Sequence, residues 1–151
     1  MNFEKFTIKS QEAIQKAIEI AQENGSQAIE TPHLFKGVIL AGEGVCKFLF
    51  AKLGVNTQAL HQVVDNQIKS YPKVSGGSPF FSNETNKVLT KAMSLSDKGG
   101  NSFVPLEMIL MALLTEKNAV QSILKNAGIT EKGLEVNEKT IYSCVVEYLY
   151  F

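Results

Sequence analysis

Among the side chains able to act as base, nucleophile or metal ligand, the imidazoles and thiols number four: His33, His61, Cys46 and Cys144. Zinc sites announce themselves by closely spaced pairs such as C-x-x-C, because several ligands must converge on one point. Here the cysteines stand nearly a hundred residues apart, and neither belongs to such a pair. They are expected to be buried or unpaired thiols in a reducing compartment. G-x-x-x-x-G-K-[ST], G-x-S-x-G and H-E-x-x-H do not occur, and "KGGNS" lacks the spacing of a phosphate-binding loop. Glu12, Glu19 and Glu23 recur at helical spacing, the mark of a solvated face rather than an acid–base pair. The expectation is a protein that is not an enzyme and holds neither metal nor cofactor.

His33 lies in "IETPHLFKGVIL", where its neighbours describe a helix start. Thr31 is the expected N-cap and Pro32 the first helical residue, where a missing N–H costs nothing. The position equivalent to His33 in the internal repeat described below is Met108, so no chemistry is shared there.

The elements that carry these residues follow from composition and pattern. A chain of 151 residues is long enough to bury roughly 70% of its unfolded surface. Fifteen Lys and Arg balance fifteen Asp and Glu. That balance leaves no electrostatic footprint for nucleic acid and no long-range attraction to an anionic membrane. The opening "MNFEKFTIKSQ" lacks the apolar run of a signal peptide. No apolar run approaches the roughly 18 residues of a membrane span. A soluble, cytoplasmic protein is expected.

Shifting the sequence by 75 positions lays it partly over itself. Phe6 and Thr7 fall on Phe81 and Ser82, Ile14 and Ala17 on Leu89 and Ala92, Gly25 on Gly100, and Leu34 and Val38 on Ile109 and Leu113. One residue is lost in a loop, and Leu49, Phe50, Gly54 and Val55 then fall on Ile123, Leu124, Gly128 and Ile129. Apolar character, small residues and both glycines keep their places, so the chain reads as two copies of one unit. Each copy reads as helical, because its apolar residues recur at i, i+3, i+4 and i+7, as in Ile14, Ala17, Ile18 and Ala21. Thr7 and Ser82 are the expected N-caps of the two opening helices, and Gly25 and Gly100 the residues that follow their C-termini. In the first unit, helices are expected from Thr31 to about Leu40, from about Val45 to Leu53 and after Asn56, with "AGEG" as a break. In the second they are expected over about Asn83–Lys98, Leu106–Thr115 and Ala119–Ala127, with a last one starting at Thr130. No segment requires a strand. The Pro-, Gly- and Ser-rich "SYPKVSGGSPFFS" reads as a loop. Phe80 and Phe81 at its end are expected to dock on the second unit, as Phe6 would on the first. The expected fold is all-α, two tandem repeats of about four helices each related by a pseudo-two-fold.

The stretches "FTIKSQEAIQKAIEIA", "AIETPHLFKGVIL", "AGEG", "KLGVN" and "YPKVSGG", in this order, resemble the N-terminal domain of Clp/Hsp100 unfoldases, most nearly its ClpB-type disaggregase branch. The resemblance covers about 1–132 and both repeats. It implies a domain that captures unfolded or aggregated polypeptide, or docks adaptor proteins, for two ATPase modules that assemble as hexamers and are absent from this chain. An adaptor-docking role as in the ClpA and ClpC branches, or a freestanding interaction module, is the alternative. The resemblance further implies polypeptide-binding positions at Thr7, Asn101 and Glu107, with Met108 beside them as an adaptable apolar contact. Asn101 departs from the aspartate usual there. Thr7 also reads as a plain N-cap, Glu107 as an acid favoured in a first helical turn, and Met108 as core. The ClpC branch reads phosphoarginine with a glutamate in each repeat. Here Pro32 holds the first of those places and only Glu107 keeps the acid.

The domain is therefore expected over 1–132, with repeat one at 1–70, a linker at 71–81 and repeat two at 82–132. After it, "GLEVNEKTIYSCVVEYLYF" leaves the family pattern. This apolar tail, 133–151, is open to three readings: it replaces the last helix, packs on the binding groove, or pairs with another copy as an edge strand; its apolar composition weighs against disorder.

Overall fold

The computed structural model describes residues 2–52, 54–126, 143 and 146–148, with side chains given as far as Ile123 in the main body. Among these residues a 3-10 turn at Phe3–Lys5 leads into α1 (Ile8–Glu23), α2 (Thr31–Ala41), α3 (Glu43–Lys52) and α4 (Thr57–Ser70). The second unit follows as α5 (Asn83–Lys98), α6 (Leu106–Thr115) and α7 (Ala119–Asn126). The helix expected from Thr130 lies outside the described residues, as does Cys144.

The two units start identically. Thr7 Oγ1 accepts the Ser10 N–H at 3.2 Å, and Ser82 Oγ accepts the Thr85 N–H at 3.1 Å. Each opening helix ends in a glycine at positive φ, 68° at Gly25 and 74° at Gly100, which closes its last turn. On α1 the buried stripe is Ala13, Ile14, Ala17 and Ala21, while Glu12, Glu19 and Glu23 face solvent. α2 and α6 are apolar on nearly all sides and form the centre, touching each other and the helices around them. Gly37 lets α2 lie against α1, since a Cβ there would run into the Ala13 carbonyl oxygen and sit 3.1 Å from the Ala17 nitrogen.

Four local expectations are corrected. The N-cap of α2 is Glu30, with extended backbone (φ −90°, ψ 166°), so Thr31 and Pro32 are its first two residues. Thr31 spends its hydroxyl on Glu84 Oε1, 3.3 Å away, instead of on its own helix. The break at "AGEG" is narrower than expected, because α3 begins at Glu43. The chain also contains a short parallel pair, β1 (Ala28–Ile29) with β2 (Phe80–Phe81), and two isolated bridges, Phe6 with Val104 and Ser26 with Lys73. The loop between the units is thereby pinned at both ends.

The last correction concerns the segments that carry the phenylalanines, whose backbone pairing crosses between the units. Phe6 precedes the first helix of unit one yet pairs with Val104 of unit two. Phe81 precedes the first helix of unit two yet pairs with Ile29 of unit one. The Thr7 N–H donates to the Val104 carbonyl at 3.0 Å, and the Ser82 N–H to the Ile29 carbonyl at 3.2 Å. A buried hydroxyl reinforces each crossing: Ser10 Oγ donates to the Val104 carbonyl at 2.9 Å and Thr85 Oγ1 to that of Ile29 at 2.8 Å. Phe3 joins the two places, its ring 5.6 Å from both Phe6 and Phe81.

Candidate functional site

The crossing at Thr7 and Val104 determines where the residues of interest lie. Thr7 Oγ1 accepts from the Ser10 amide and donates to Ser10 Oγ at 3.0 Å, so its hydroxyl proton is engaged within the cap. The Val104 carbonyl takes two donors, and the Val104 N–H donates to the Lys5 carbonyl at 2.7 Å. The backbone here is satisfied, as a partly buried edge requires. The apolar side chains on either side are not covered. Ile8 is 80% exposed and Phe103 56% exposed.

Asn101 is exposed, and its N–H closes the end of α5 on the Ser96 carbonyl at 2.9 Å. Glu107 is half-buried in the first turn of α6. The Thr7–Val104 junction sets the segment of Thr7 beside the stretch between α5 and α6, with Asn101 three residues before Val104 and Glu107 three after it. Met108 does not join them at the surface. It is 7% exposed and belongs to the core, because α6 is enclosed all round. Sequence reasoning missed Ile8 and Phe103. Ile8 is the first residue of α1 and Phe103 lies in the connection between α5 and α6, where period-based patterns do not predict burial.

Ile8 also opens a groove of about 410 Å³ along α1, lined by Phe3, Ile8, Gln11, Glu12, Ile14, Gln15 and Ile18. Its floor is apolar and its rim is glutamine and one carboxylate. Such a surface offers dispersion and burial without demanding a fixed hydrogen-bond pattern.

His33 and Cys46 are both enclosed in the core. His33 is fully buried and its Nδ1 accepts the Glu30 N–H at 2.9 Å, so the ring stays neutral with its proton on Nε2, 3.4 Å from Ser26 Oγ. Burial pulls its pKa down to about 4. The Tyr71 ring lies 5.5 Å away. Burial pushes the Cys46 thiol up to about 12, which removes the thiolate needed for nucleophilic chemistry. His61 lines a small cleft of about 130 Å³ with Cys46, Glu43 and Phe50. Among the described residues no three His, Cys, Asp or Glu side chains are placed to hold a metal ion, and no helix is long and apolar enough to cross a membrane.

Two helical repeats whose starts are exchanged across a pseudo-two-fold define the class. Residues 5–127 match the family model of the Clp repeat (R) N-terminal domain, and the chain belongs to that family. It is 55% identical over 140 residues to the chaperone protein ClpB of Bacteroides thetaiotaomicron, a match that covers 91% of this chain and 16% of that protein. The chain thus spans about one sixth of the length of its ClpB relatives and corresponds to their N-terminal domain. The fold is shared with the Hsp104 N-terminal domain of Candida albicans (TM-score 0.80, 22% identity, covering 97% of this chain and 92% of that one). It is also shared with the ClpV N-domain in its complex with a VipB peptide (TM-score 0.74, 15% identity, 97% and 88% covered).

Proposed function

We propose that this chain is the polypeptide-recognising N-terminal module of a ClpB-type disaggregase, occupying 1–132 with its two repeats joined by the linker at 71–81. The unfolded or aggregated client contacts the edge formed by Thr7, Asn101 and Glu107. Ile8 and Phe103 supply the apolar contact there, and Met108 supports it from beneath. Catalysis belongs to the ATPase modules of the hexameric parent assembly. The module itself works in the cytoplasm without cofactor, nucleic acid or membrane.

The observation that supports this reading most is the exposure of Ile8 and Phe103 on either side of a fully hydrogen-bonded crossing. An exposed apolar pair on a rigid, satisfied backbone meets the needs of a surface that accepts many sequences. Asn101 brings no charge, so recognition there rests on Glu107 and apolar contact. An NMR titration with reduced, unfolded casein tests the proposal. Shift changes are expected at residues 7, 8, 101, 103 and 107, with weak, sequence-tolerant affinity. An absence of shifts at millimolar client would refute it.

The bound VipB peptide of the ClpV relative favours a second reading, docking of one defined adaptor segment at the same edge. That reading predicts tight binding to a single folded partner and indifference to casein.

A further inference from the structure

An asparagine followed by a small residue is thermolabile, because the next backbone nitrogen can attack its side-chain carbonyl carbon and expel ammonia. Among the residues whose side chains are described, three asparagines precede glycine, serine or alanine: Asn24–Gly25, Asn101–Ser102 and Asn118–Ala119. Two of these pairs are held at both reacting groups. Asn24 Nδ2 donates to the Ile68 carbonyl at 2.8 Å and to Ser26 Oγ at 3.0 Å, while the Gly25 N–H donates to the Gln22 carbonyl at 3.0 Å. Asn118 is buried, and its Nδ2 donates to the Leu113 and Glu116 carbonyls at 2.8 and 2.6 Å. Its Oδ1 accepts the Val120 N–H at 2.8 Å, and the Ala119 N–H donates to Glu84 Oε1 at 2.6 Å. In both pairs several bonds must open before nitrogen reaches carbon.

Asn101–Ser102 has neither hold. Both residues are exposed in the connection between α5 and α6, as is Phe103 after them. The Asn101 N–H is anchored on the Ser96 carbonyl at 2.9 Å. Among the described residues, however, neither the Asn101 side-chain amide nor the Ser102 N–H has a hydrogen-bond partner. Residue size orders the pairs differently. Gly25 hinders attack least, so Asn24 is the most labile of the three in an unfolded chain. The fold inverts that order.

We infer that Asn101 is a modification site, at which the folded domain deamidates spontaneously. The Ser102 backbone nitrogen bonds to Asn101 Cγ and gives up its proton. The bond from Cγ to Nδ2 breaks, and ammonia leaves behind a succinimide ring. Water then opens the ring at either carbonyl, giving aspartate or isoaspartate. Nothing is oxidised or reduced, and water is the one co-reactant. Either product puts a carboxylate at position 101, three residues before the Val104 carbonyl that receives the Thr7 N–H. The connection between α5 and α6 thereby changes from neutral to anionic with age, and it then favours clients that carry Lys or Arg beside their apolar residues. That effect on clients rests on the client-binding reading above, whereas the chemistry at Asn101 does not.

The test follows amide loss by peptide-mass mapping of the full chain, kept in mildly alkaline buffer either folded or unfolded in urea. In the folded chain the peptide with residue 101 should gain the acid mass at least about ten-fold faster than those with residues 24 and 118. In urea the order should reverse, with Asn24 first. Asn101→Gln should remove the early product, because the longer side chain closes the ring poorly, and Ser102→Val should slow it. An Asn101 amide that survives in the folded chain as long as those of Asn24 and Asn118 would overturn the proposal. So would Asn24 leading in both states. The effect on clients is read separately, with a synthetic unfolded peptide of leucine, glycine and lysine. Asn101→Asp should bind it about three-fold tighter than the parent chain at low salt, with the gain lost at high salt. Equal binding by the two chains would overturn the change in client preference, and binding by neither would count against the client-binding reading instead.

Discussion

The two crossings share a backbone and differ in what stands beside it. At the first, Thr7 meets Val104, Ile8 and Phe103 are bare, and Glu107 opens the next helix. At the second, Ser82 meets Ile29, but Asn83 stands in the place of Ile8, Ala28 in that of Phe103 and Pro32 in that of Glu107. The linker also lies against this second edge. The Val74 N–H donates to the Gly25 carbonyl at 2.9 Å, and Tyr71, Pro72 and Val74 wall a cleft of about 180 Å³ with Ser26, Gln27, Ala28 and Glu30. A Cβ on Gly25 would meet Lys73 and Val74, whereas one on Gly100 would meet nothing within 4 Å among the described residues. Duplication supplied one scaffold twice. The linker and a few substitutions left one edge open and partly closed the other.

That comparison can be broken first at the phenylalanines. Phe6 is 1% exposed, whereas Phe81 is only half-buried. Phe6→Ala should destabilise the domain by about 4 kcal/mol and Phe81→Ala by about half of that, read from urea denaturation midpoints. Equal losses would mean that the two crossings carry equal weight.

The contact between first and second helices is the next point of asymmetry. In unit one, Gly37 faces Ala13 and Ala17. In unit two, Ala112 stands at the position of that glycine, and Val88 and Ala92 at those of Ala13 and Ala17. Gly37→Ala should lower stability by about 3 kcal/mol, because backbone, not a movable side chain, blocks the new methyl group. Ala112→Gly should cost only about 1 kcal/mol, the helix propensity difference plus a small void. Thermal denaturation of both variants checks the pair.

Acid should act through unit one alone at this position, since Met108 holds the place of His33 in unit two. The pKa of His33 is about 4 in the folded chain and 6.5 when unfolded. Above pH 6.5 both states are neutral and His33 adds no slope. Between 6.5 and 4 the unfolded chain takes up a proton that the folded chain refuses, so stability falls by about 3 kcal/mol and then levels off. His33→Met should flatten that part of the stability–pH curve, at the cost of the bond from the Glu30 N–H. An unchanged acid slope in the variant would assign it to other groups.

Much of this was legible in the residue string. The two units, their caps at Thr7, Ser82 and Asn56, and the turns at Gly25 and Gly100 follow from local spacing, which is what helices are made of. The crossings were not legible. Ser10 reaches a carbonyl 94 residues away and Thr85 one 56 residues away, while both read locally as ordinary helix residues. Thr31 misled for the same reason: a good capping hydroxyl was taken by Glu84 of the other unit. Met108 shows the limit of pattern reading on an all-apolar helix, where no periodicity separates a buried position from a surface one. Thr7, Asn101 and Glu107 rested on resemblance, and the structure adds a hydrogen bond from Thr7 to Val104, which lies between the other two in sequence.

A smaller effect separates the capping role of Thr7 from its proposed part in client binding. Thr7→Ala and Ser82→Ala should each cost about 1 kcal/mol as lost N-caps. Thr7→Ser keeps the hydroxyl and should restore stability, so any weakened client binding that remains in Thr7→Ser reports the lost methyl group at the edge.

The central claim is that the edge at Thr7 and Val104, not its partly closed counterpart at Ser82 and Ile29, holds the client. Binding of reduced, unfolded casein is measured by NMR titration for two double variants, Ile8→Ser with Phe103→Ser and Val74→Ser with Phe80→Ser, each altering exposed residues at one edge. The first variant should lose most of its binding, about ten-fold or more in affinity, while the second binds as the parent chain does. Equal loss in both, or loss only in the second, would contradict the account.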